Sequence, residues 1–248
     1  MLTRLSQERT LCAFDFDGTL APIVEHPDQA GMRGLTRQLL GRLAALYPCV
    51  ILSGRARADL MGKLGGVSVA RAIGNHGAEQ EKANGKERRH VEKWKAALDL
   101  EIGALPGLWV EDKGLSLAVH YRKSPRKAEA RRRIFEAVRN LELVRVFGGK
   151  QVVNLVAAGA PNKGEALAAE RDRLGCTWTL FVGDDENDEE AFALEGNTIP
   201  VRVGWKRRSK ARYYLRTQAE IDQLLEFLVT MRAHWTRFVD QPVSGTSS

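Results

Sequence analysis

Two carboxylates one residue apart, Asp15 and Asp17, follow an apolar run and precede Gly18-Thr19. Carboxylates that close repel one another and favour a cation beside them. The glycine permits a sharp turn, so both side chains and several backbone N–H groups can face one small volume. The plain alternative is an Asx turn, which Asp-Gly pairs commonly form. A second acidic group, Asp184-Asp185-Glu186-Asn187-Asp188-Glu189-Glu190, also follows an apolar run. Hard cations such as Mg2+ relieve that crowding through oxygen ligands. Glu189 and Glu190 are expected instead to decorate the start of a helix. Asp184, nearest the strand, is the better metal ligand.

Two further positions suit an anion. Ser53-Gly54-Arg55 stands between a strand and a helix, where a hydroxyl and free N–H groups can meet a phosphate oxygen; Ser53 could equally be a helix N-cap. Lys163 opens a helix, against the macrodipole, which points to an anionic partner rather than to a solvated surface lysine.

These groups need elements to bring them together. Thr10–Phe16, Cys49–Leu52 and Val67–Ile73 read as short buried strands, with helices over 35–46 and 56–64 between them. That alternation predicts a parallel sheet wrapped by helices. The middle third changes character. Helices over 87–105 and 125–141 alternate with two hairpins, one turning at Asp112-Lys113-Gly114 and one at Gly148-Gly149-Lys150. Helix 163–174, strand 177–182, a helix from 189, strand 198–203 and a helix over 219–235 then restore the first pattern. The fold expected is α/β, a Rossmann-like parallel-sheet core of residues 1–82 and 157–248 with an inserted α+β cap of 83–156. Residues 241–248 read as a loose tail. In such sheets ligands gather at the carboxyl ends of the strands, where Asp15, Ser53, Asn75-His76 and Asp184 fall.

Composition narrows the function classes. The 248 residues are 44% hydrophobic and 28% charged, the balance of a globular protein. No apolar run approaches the roughly 20 residues of a membrane span. The polar first ten residues predict no signal peptide. Three cysteines without C-x-x-C spacing argue against a disulfide scaffold or a cysteine-rich metal site, so a cytoplasmic protein is expected. The net charge of +7 and the clusters Arg131–Arg133 and Lys206–Arg208 raise the question of nucleic acid. No zinc-finger spacing or basic-aromatic strand accompanies them, so they read as solvated helix faces or as attraction for a small anion.

In order along the chain, Asp15-Phe16-Asp17-Gly18-Thr19-Leu20, Leu52-Ser53-Gly54-Arg55, Lys163-Gly164 and Gly183-Asp184-Asp185-Glu186-Asn187-Asp188 resemble the four motifs of haloacid-dehalogenase-type phosphatases. Within that superfamily the chain is most similar to trehalose-6-phosphate phosphatases, on stretches 16–23, 74–79, 110–122 and 183–192. The resemblance implies that Asp15 is the nucleophile and Asp17 the acid and base. It implies a Mg2+ held by Asp15, the Asp17 backbone carbonyl and Asp184. Ser53 and Lys163 would hold the phosphoryl group, with Thr19, Asp185 and Asp188 in support; Asp188 would position Lys163 rather than bind metal. Arg55, His76, Glu111, Lys113 and Asn154 would meet the substrate, a sugar phosphate. A trehalose-phosphate synthase would be the functional neighbour.

Two positions depart from the family pattern. Asn154-Leu155-Val156-Ala157 stands where a Glu, with Pro three residues later, is usual, and Asn187 stands where Thr is common. Asn154 keeps hydrogen bonding but lacks the charge that strengthens it. Another sugar phosphate, such as a glycosyl-phosphoglycerate or sucrose phosphate, is therefore the alternative substrate. A non-catalytic binding protein of the same fold is the alternative from another class, opposed by the complete set Asp15, Asp17, Ser53, Lys163 and Asp184.

Overall fold

The structure, a computed structural model, describes residues 2–79 and 85–239. The expected tail over 241–248 and the expected cap boundary at 82/83 lie outside the described residues.

After a short helix α1 (Leu2–Gln7), the chain alternates β1 (Thr10–Phe14), α2 (Gly34–Ala44), β2 (Cys49–Leu52), α3 (Arg57–Leu64) and β3 (Arg71–Ile73). Next come α4 (Gly85–Ile102), β4 (Trp109–Asp112), β5 (Ser116–His120), α5 (Lys127–Val138), β6 (Val144–Gly149) and β7 (Val152–Ala157). The chain then forms α6 (Lys163–Arg173), β8 (Trp178–Gly183), α7 (Glu189–Phe192), β9 (Thr198–Val203), β10 (Tyr213–Leu215) and α8 (Ile221–Val239).

The larger sheet has the order β10-β9-β8-β1-β2-β3, with every pairing parallel. All five residues of β1 are buried, as a strand covered on both faces requires. Alternation along β1 divides them: Cys12 and Phe14 join Leu40, Leu43, Leu225 and Leu228 of α2 and α8, while Leu11 and Ala13 join Ala166, Leu167 and Phe192 of α6 and α7. The connections run from β1 to β2 and β3 on one side, then back to β8, β9 and β10 on the other. Strand order therefore reverses at β1, the position where an open α/β sheet leaves a crevice.

The smaller sheet, β4-β5-β7-β6, is antiparallel throughout. One face carries Leu117, Val119, Val153 and Leu155 against Val91, Trp94 and Leu98 of α4 and Ile134 of α5. The opposite face is a grid set by register. Trp109 stands opposite His120 and His120 opposite Val152; one row along, Glu111 stands opposite Ala118, Ala118 opposite Asn154 and Asn154 opposite Phe147.

Several elements differ from expectation. The strand expected over 67–73 forms only at Arg71–Ile73, because its sole partner β2 offers Val50–Leu52 for pairing, while Gly65 and Gly66, both at positive φ, are still turning the chain. The first strand stops at Phe14, which frees Asp15 and Phe16 for the turn. The three-residue edge strand β10 and the helix α1 carry too little periodicity to be read from the sequence.

Candidate active site

Asp15 leaves the carboxyl end of β1 with its backbone N–H on the Val182 carbonyl of β8 at 2.8 Å. One carboxylate oxygen, Oδ1, accepts from Lys163 Nζ at 2.6 Å, and the same ammonium donates to Asp188 Oδ1 at 2.6 Å. Lys163 is only 1% exposed although it is the first residue of α6. Asn162 caps that helix through a capping box with Glu165, so the helix start holds despite the lysine. Burial alone would push the ammonium down, but Asp15 and Asp188 outweigh it and hold Lys163 well above its ordinary value.

Asp188 uses its second oxygen to accept the backbone N–H groups of Asp184 at 2.8 Å and Asp185 at 2.9 Å. Both of its oxygens are thus committed. Asp184 differs: Oδ2 is paired with Lys150, from the tip of the β6–β7 hairpin, while Oδ1 is buried with no partner. Burial, then Asp188, raises the Asp184 carboxyl to about 6, and burial with Asp188 and Asp184 nearby raises Asp15. Beneath the acidic turn the buried Arg202 donates to the Asp184 and Asp185 carbonyls at 2.5 and 3.0 Å and to Glu189 Oε1 at 2.8 Å.

The geometry suits a divalent cation. Asp15, Asp184 and Asp188 each offer an oxygen within 4.8 Å of the other two. Three carboxylates are set against two ammonium groups, the buried Lys163 and the half-exposed Lys150, and one oxygen is orphaned, so the site has negative charge to spare. Gly18, at φ +86°, lies against it; a Cβ there would stand 2.2 Å from Asp184 Oδ2. With Asp188 committed elsewhere, Asp15 and Asp184 are the side chains left to hold a metal.

Asp17 faces Arg55, whose Nε and Nη2 donate to its two oxygens at 2.7 Å each. Arg55 Nη1 also reaches Asp59 at 2.7 Å, and Nη2 the Pro27 carbonyl at 2.8 Å. Ser53 is fully buried, and its Oγ accepts from the Arg55 N–H at 3.2 Å. Neither Ser53 nor Lys163 is among the residues lining the cavity above the site. Thr19 is buried with its hydroxyl unpaired, and its carbonyl accepts from Gln218 at 2.8 Å.

That cavity, about 370 Å³, lies between the two sheets, with Asp15, Asp17 and Asp184 on one side and Glu111, Lys113 and Asn154 on the other. Lys113 Nζ donates to the Gly54 carbonyl at 3.0 Å and lies 3.7 Å from Glu111. Burial lowers the Lys113 ammonium. Burial would raise Glu111, but His120 at 2.8 Å and Lys113 outweigh it and hold the carboxyl below its ordinary range. The turn bearing His76 is left-handed at Asn75, His76 and Gly77. It is tied down by Asn75, which donates to Glu79 at 2.6 Å and accepts from the Ser116 hydroxyl. Gly54 has no side chain because the imidazole occupies the space: a Cβ there would meet His76 Cε1 at 2.4 Å. Burial, then Lys113 and Lys163, holds His76 well below its ordinary value, so the ring is neutral. Asn187 lies 2.9 Å from His76 Nδ1, and Phe147 meets the ring edge-on at 4.9 Å.

Asp15, Asp17, Arg55, His76, Glu111, Lys113, Asn154, Asp184 and Asp185 thus line this one crevice, and Ser53, Lys163 and Asp188 contact that lining from behind it. Lys150, Trp109 and His120, which also line it, were not foreseen. Lys150 read as part of a glycine turn and Trp109 as an ordinary strand residue; only the antiparallel register puts Trp109 and His120 on the cavity face.

Solved structures define the class of fold. The C-terminal domain of the Candida albicans trehalose-6-phosphate phosphatase superposes with a TM-score of 0.79 at 24% identity, over 92% of this chain and 95% of that one. A haloacid-dehalogenase subclass IIB sugar phosphatase superposes at 0.61 and 14% identity, over 88% and 98%. The fold is therefore that of the haloacid-dehalogenase phosphatases: a parallel core with an antiparallel cap. The trehalose-phosphatase family model matches residues 13–218, and the chain belongs to that family. The trehalose-phosphate phosphatase of Mycobacterium tuberculosis is 34% identical over 208 residues, 77% of this chain. That alignment covers 52% of the mycobacterial protein, so the chain spans about half the length of the curated relative it matches.

Proposed function

We propose that this chain is a Mg2+-dependent phosphatase that hydrolyses trehalose 6-phosphate to trehalose and phosphate. The observation that carries the reading is the Asp188–Lys163–Asp15 relay beneath a cavity whose far wall presents Glu111, Lys113 and Asn154. Membership of the trehalose-phosphatase family supports the choice of substrate, and the substrate would come from a trehalose-phosphate synthase. The division into a core of 1–82 and 157–248 and a cap of 83–156 belongs to the same proposal. So does a cytoplasmic location, which the three free, buried cysteines suit.

Lys163 holds Asp15 Oδ1, leaving Oδ2 to attack phosphorus. A phosphorus–oxygen bond forms to Asp15 while the bond to the sugar oxygen breaks, giving an aspartyl-phosphate. Asp17 leaves Arg55, takes up a proton as the substrate enters, and delivers that proton to the departing oxygen. It then takes a proton from the water that attacks phosphorus, releasing inorganic phosphate and restoring Asp15. Lys163 and Ser53, whose O–H stays free to donate while its oxygen accepts the Arg55 N–H, steady the phosphoryl oxygens as charge shifts among them. Asp15, Asp184 and the Asp17 carbonyl would hold Mg2+, whose positive charge would orient the nucleophile and screen the approach of two anions. Glu111, Lys113, Asn154, Arg55 and His76 meet the sugar, and the cap sheet keeps bulk water from the reacting atoms.

A second reading keeps the chemistry and changes the sugar. It is favoured by Asn154 beside a neutral His76, a wall without the formal charge that a Glu would bring there. Phosphate release from a panel of sugar phosphates decides between them, with EDTA-treated protein and Asp15→Asn as blanks. Preference for trehalose 6-phosphate upholds the first reading. Preference for sucrose phosphate or a glycosyl-phosphoglycerate moves specificity to the second. No release above the blanks refutes both and leaves a non-catalytic member of the family.

A further inference from the structure

The polar row of the cap grid, Glu111 and Asn154, is the part of the cap already assigned to the sugar. The next row has a different character. Trp109 is 45% exposed, a large apolar side chain on the cavity wall. One face of its indole is covered by the imidazole of His120, parallel to within 7° at 4.1 Å between ring centres. His120 in turn is fixed edge-on by Glu111 Oε2 at 2.8 Å, and Glu111 is tied through Lys113 to the Gly54 carbonyl of the core. The indole is thus a flat plate with a rigid backing, joined by consecutive polar contacts to the phosphate end of the cavity. Val152 continues its row. From the core, Ile23 and Val24 line the same cavity, and Arg122 of the cap donates to the Val24 carbonyl at 3.3 Å.

A pyranose ring has hydroxyl groups around its edge and C–H bonds on its faces. Its edge needs paired donors and acceptors, whereas its faces suit an aromatic plate. The first grid row supplies the former and the second the latter. Adjacent rows on one face of a strand are separated by two residues, about 7 Å. That is roughly the step from one linked sugar ring to the next.

We propose that Trp109, backed by His120, is a specificity-determining subsite for the second ring of a disaccharide phosphate, the ring remote from the phosphate. The proposal rests on the phosphatase reading and sharpens it: the site is built for a two-ring leaving group, not for a monosaccharide. Trp109 touches the substrate; His120 is a positioning residue that acts through it.

The test compares wild type, Trp109→Ala and Trp109→Phe on trehalose 6-phosphate, glucose 6-phosphate and phenyl phosphate. Calorimetric titration of unphosphorylated trehalose accompanies the assays. Trp109→Ala is expected to lower the kcat/KM ratio of trehalose 6-phosphate to phenyl phosphate by about ten-fold, through KM. The ratio for glucose 6-phosphate stays constant, Trp109→Phe recovers most of the loss, and the Kd for trehalose rises in Trp109→Ala by a similar factor. An equal loss on all three substrates, or an unchanged trehalose Kd, overturns the proposal. If the wild type releases phosphate from none of the three, the trehalose 6-phosphate reading has failed by itself. The titration then decides the subsite alone: Trp109-dependent binding of trehalose upholds it, and no such binding overturns it.

Discussion

Asp188 accepts from Lys163 Nζ through one oxygen and receives the backbone N–H groups of Asp184 and Asp185 through the other. A single buried carboxylate thereby fixes the lysine on one side and shapes the acidic turn on the other. Removing one member of a buried pair leaves the remaining charge uncompensated, at about 3–5 kcal/mol. Asp188→Asn is therefore expected to lower the unfolding free energy measured by urea denaturation by about 3 kcal/mol, the lower end of that range, since Lys163 keeps Asp15. The variant should lose kcat more than KM, because Asp188 holds the machinery without touching the sugar.

Gly18 gives a sharper test of the metal cradle. Its φ of +86° is left-handed, and a methyl group there would fall 2.2 Å from Asp184 Oδ2. Gly18→Ala should displace Asp184 and weaken Mg2+ binding. Thermal melts with and without Mg2+ read this directly: a ligand at 100 times its Kd adds about 2.7 kcal/mol to stability. The wild type should show a rise of that kind and the variant little or none.

Asp17 is assigned to proton transfer, so its loss should depend on the leaving group. For a sugar phosphate, Asp17→Asn should reduce kcat by about 10²- to 10⁴-fold. For para-nitrophenyl phosphate, whose phenolate departs without a proton, the loss should be far smaller. Equal losses on both substrates would place Asp17 in another role.

The buried imidazole of His76 predicts a pH effect on stability. Burial, with Lys113 and Lys163 nearby, depresses its folded-state value below 6.5. Below pH 6.5 the unfolded chain therefore takes a proton that the folded protein refuses, and stability falls as pH falls, by up to about 1.4 kcal/mol per pH unit from this group. The fall ends only below the depressed folded value, where both states are protonated. Urea denaturation at pH 7.5 and 5.5 should show a smaller difference between the two conditions for His76→Gln than for wild type.

Much of this architecture was legible before any coordinates. β2 and β9 match the expected strands residue for residue, because strands covered on both faces read as unbroken apolar runs. Asp15, Asp17 and Asp184 were legible because polar residues at a strand end stand against an apolar background, and Lys163 because it opens a helix against the macrodipole. Lys150 and Trp109 were not. Lys150 acts across 34 positions of sequence on Asp184, and nothing local to a Gly-Gly-Lys turn announces that pairing. Trp109 gains its meaning only from strand register, which sets it opposite His120 on the cavity face. Ser53 shows another limit: its type and position suit a phosphate oxygen, but only the fold shows it fully buried behind the cavity, with its Oγ accepting the Arg55 N–H. The arginine fork that commits both Asp17 oxygens joins residues 38 apart and was likewise hidden.

The central claim is that Asp15 becomes covalently phosphorylated. Rapid acid quenching of full-length protein turning over phosphorus-labelled trehalose 6-phosphate with Mg2+ tests it most directly. Transient label is expected on the protein as an acyl phosphate at Asp15, discharged on further incubation and absent from Asp15→Asn. Substrate turnover with no label on the wild-type protein at any quench time, or label that persists in Asp15→Asn, would contradict it.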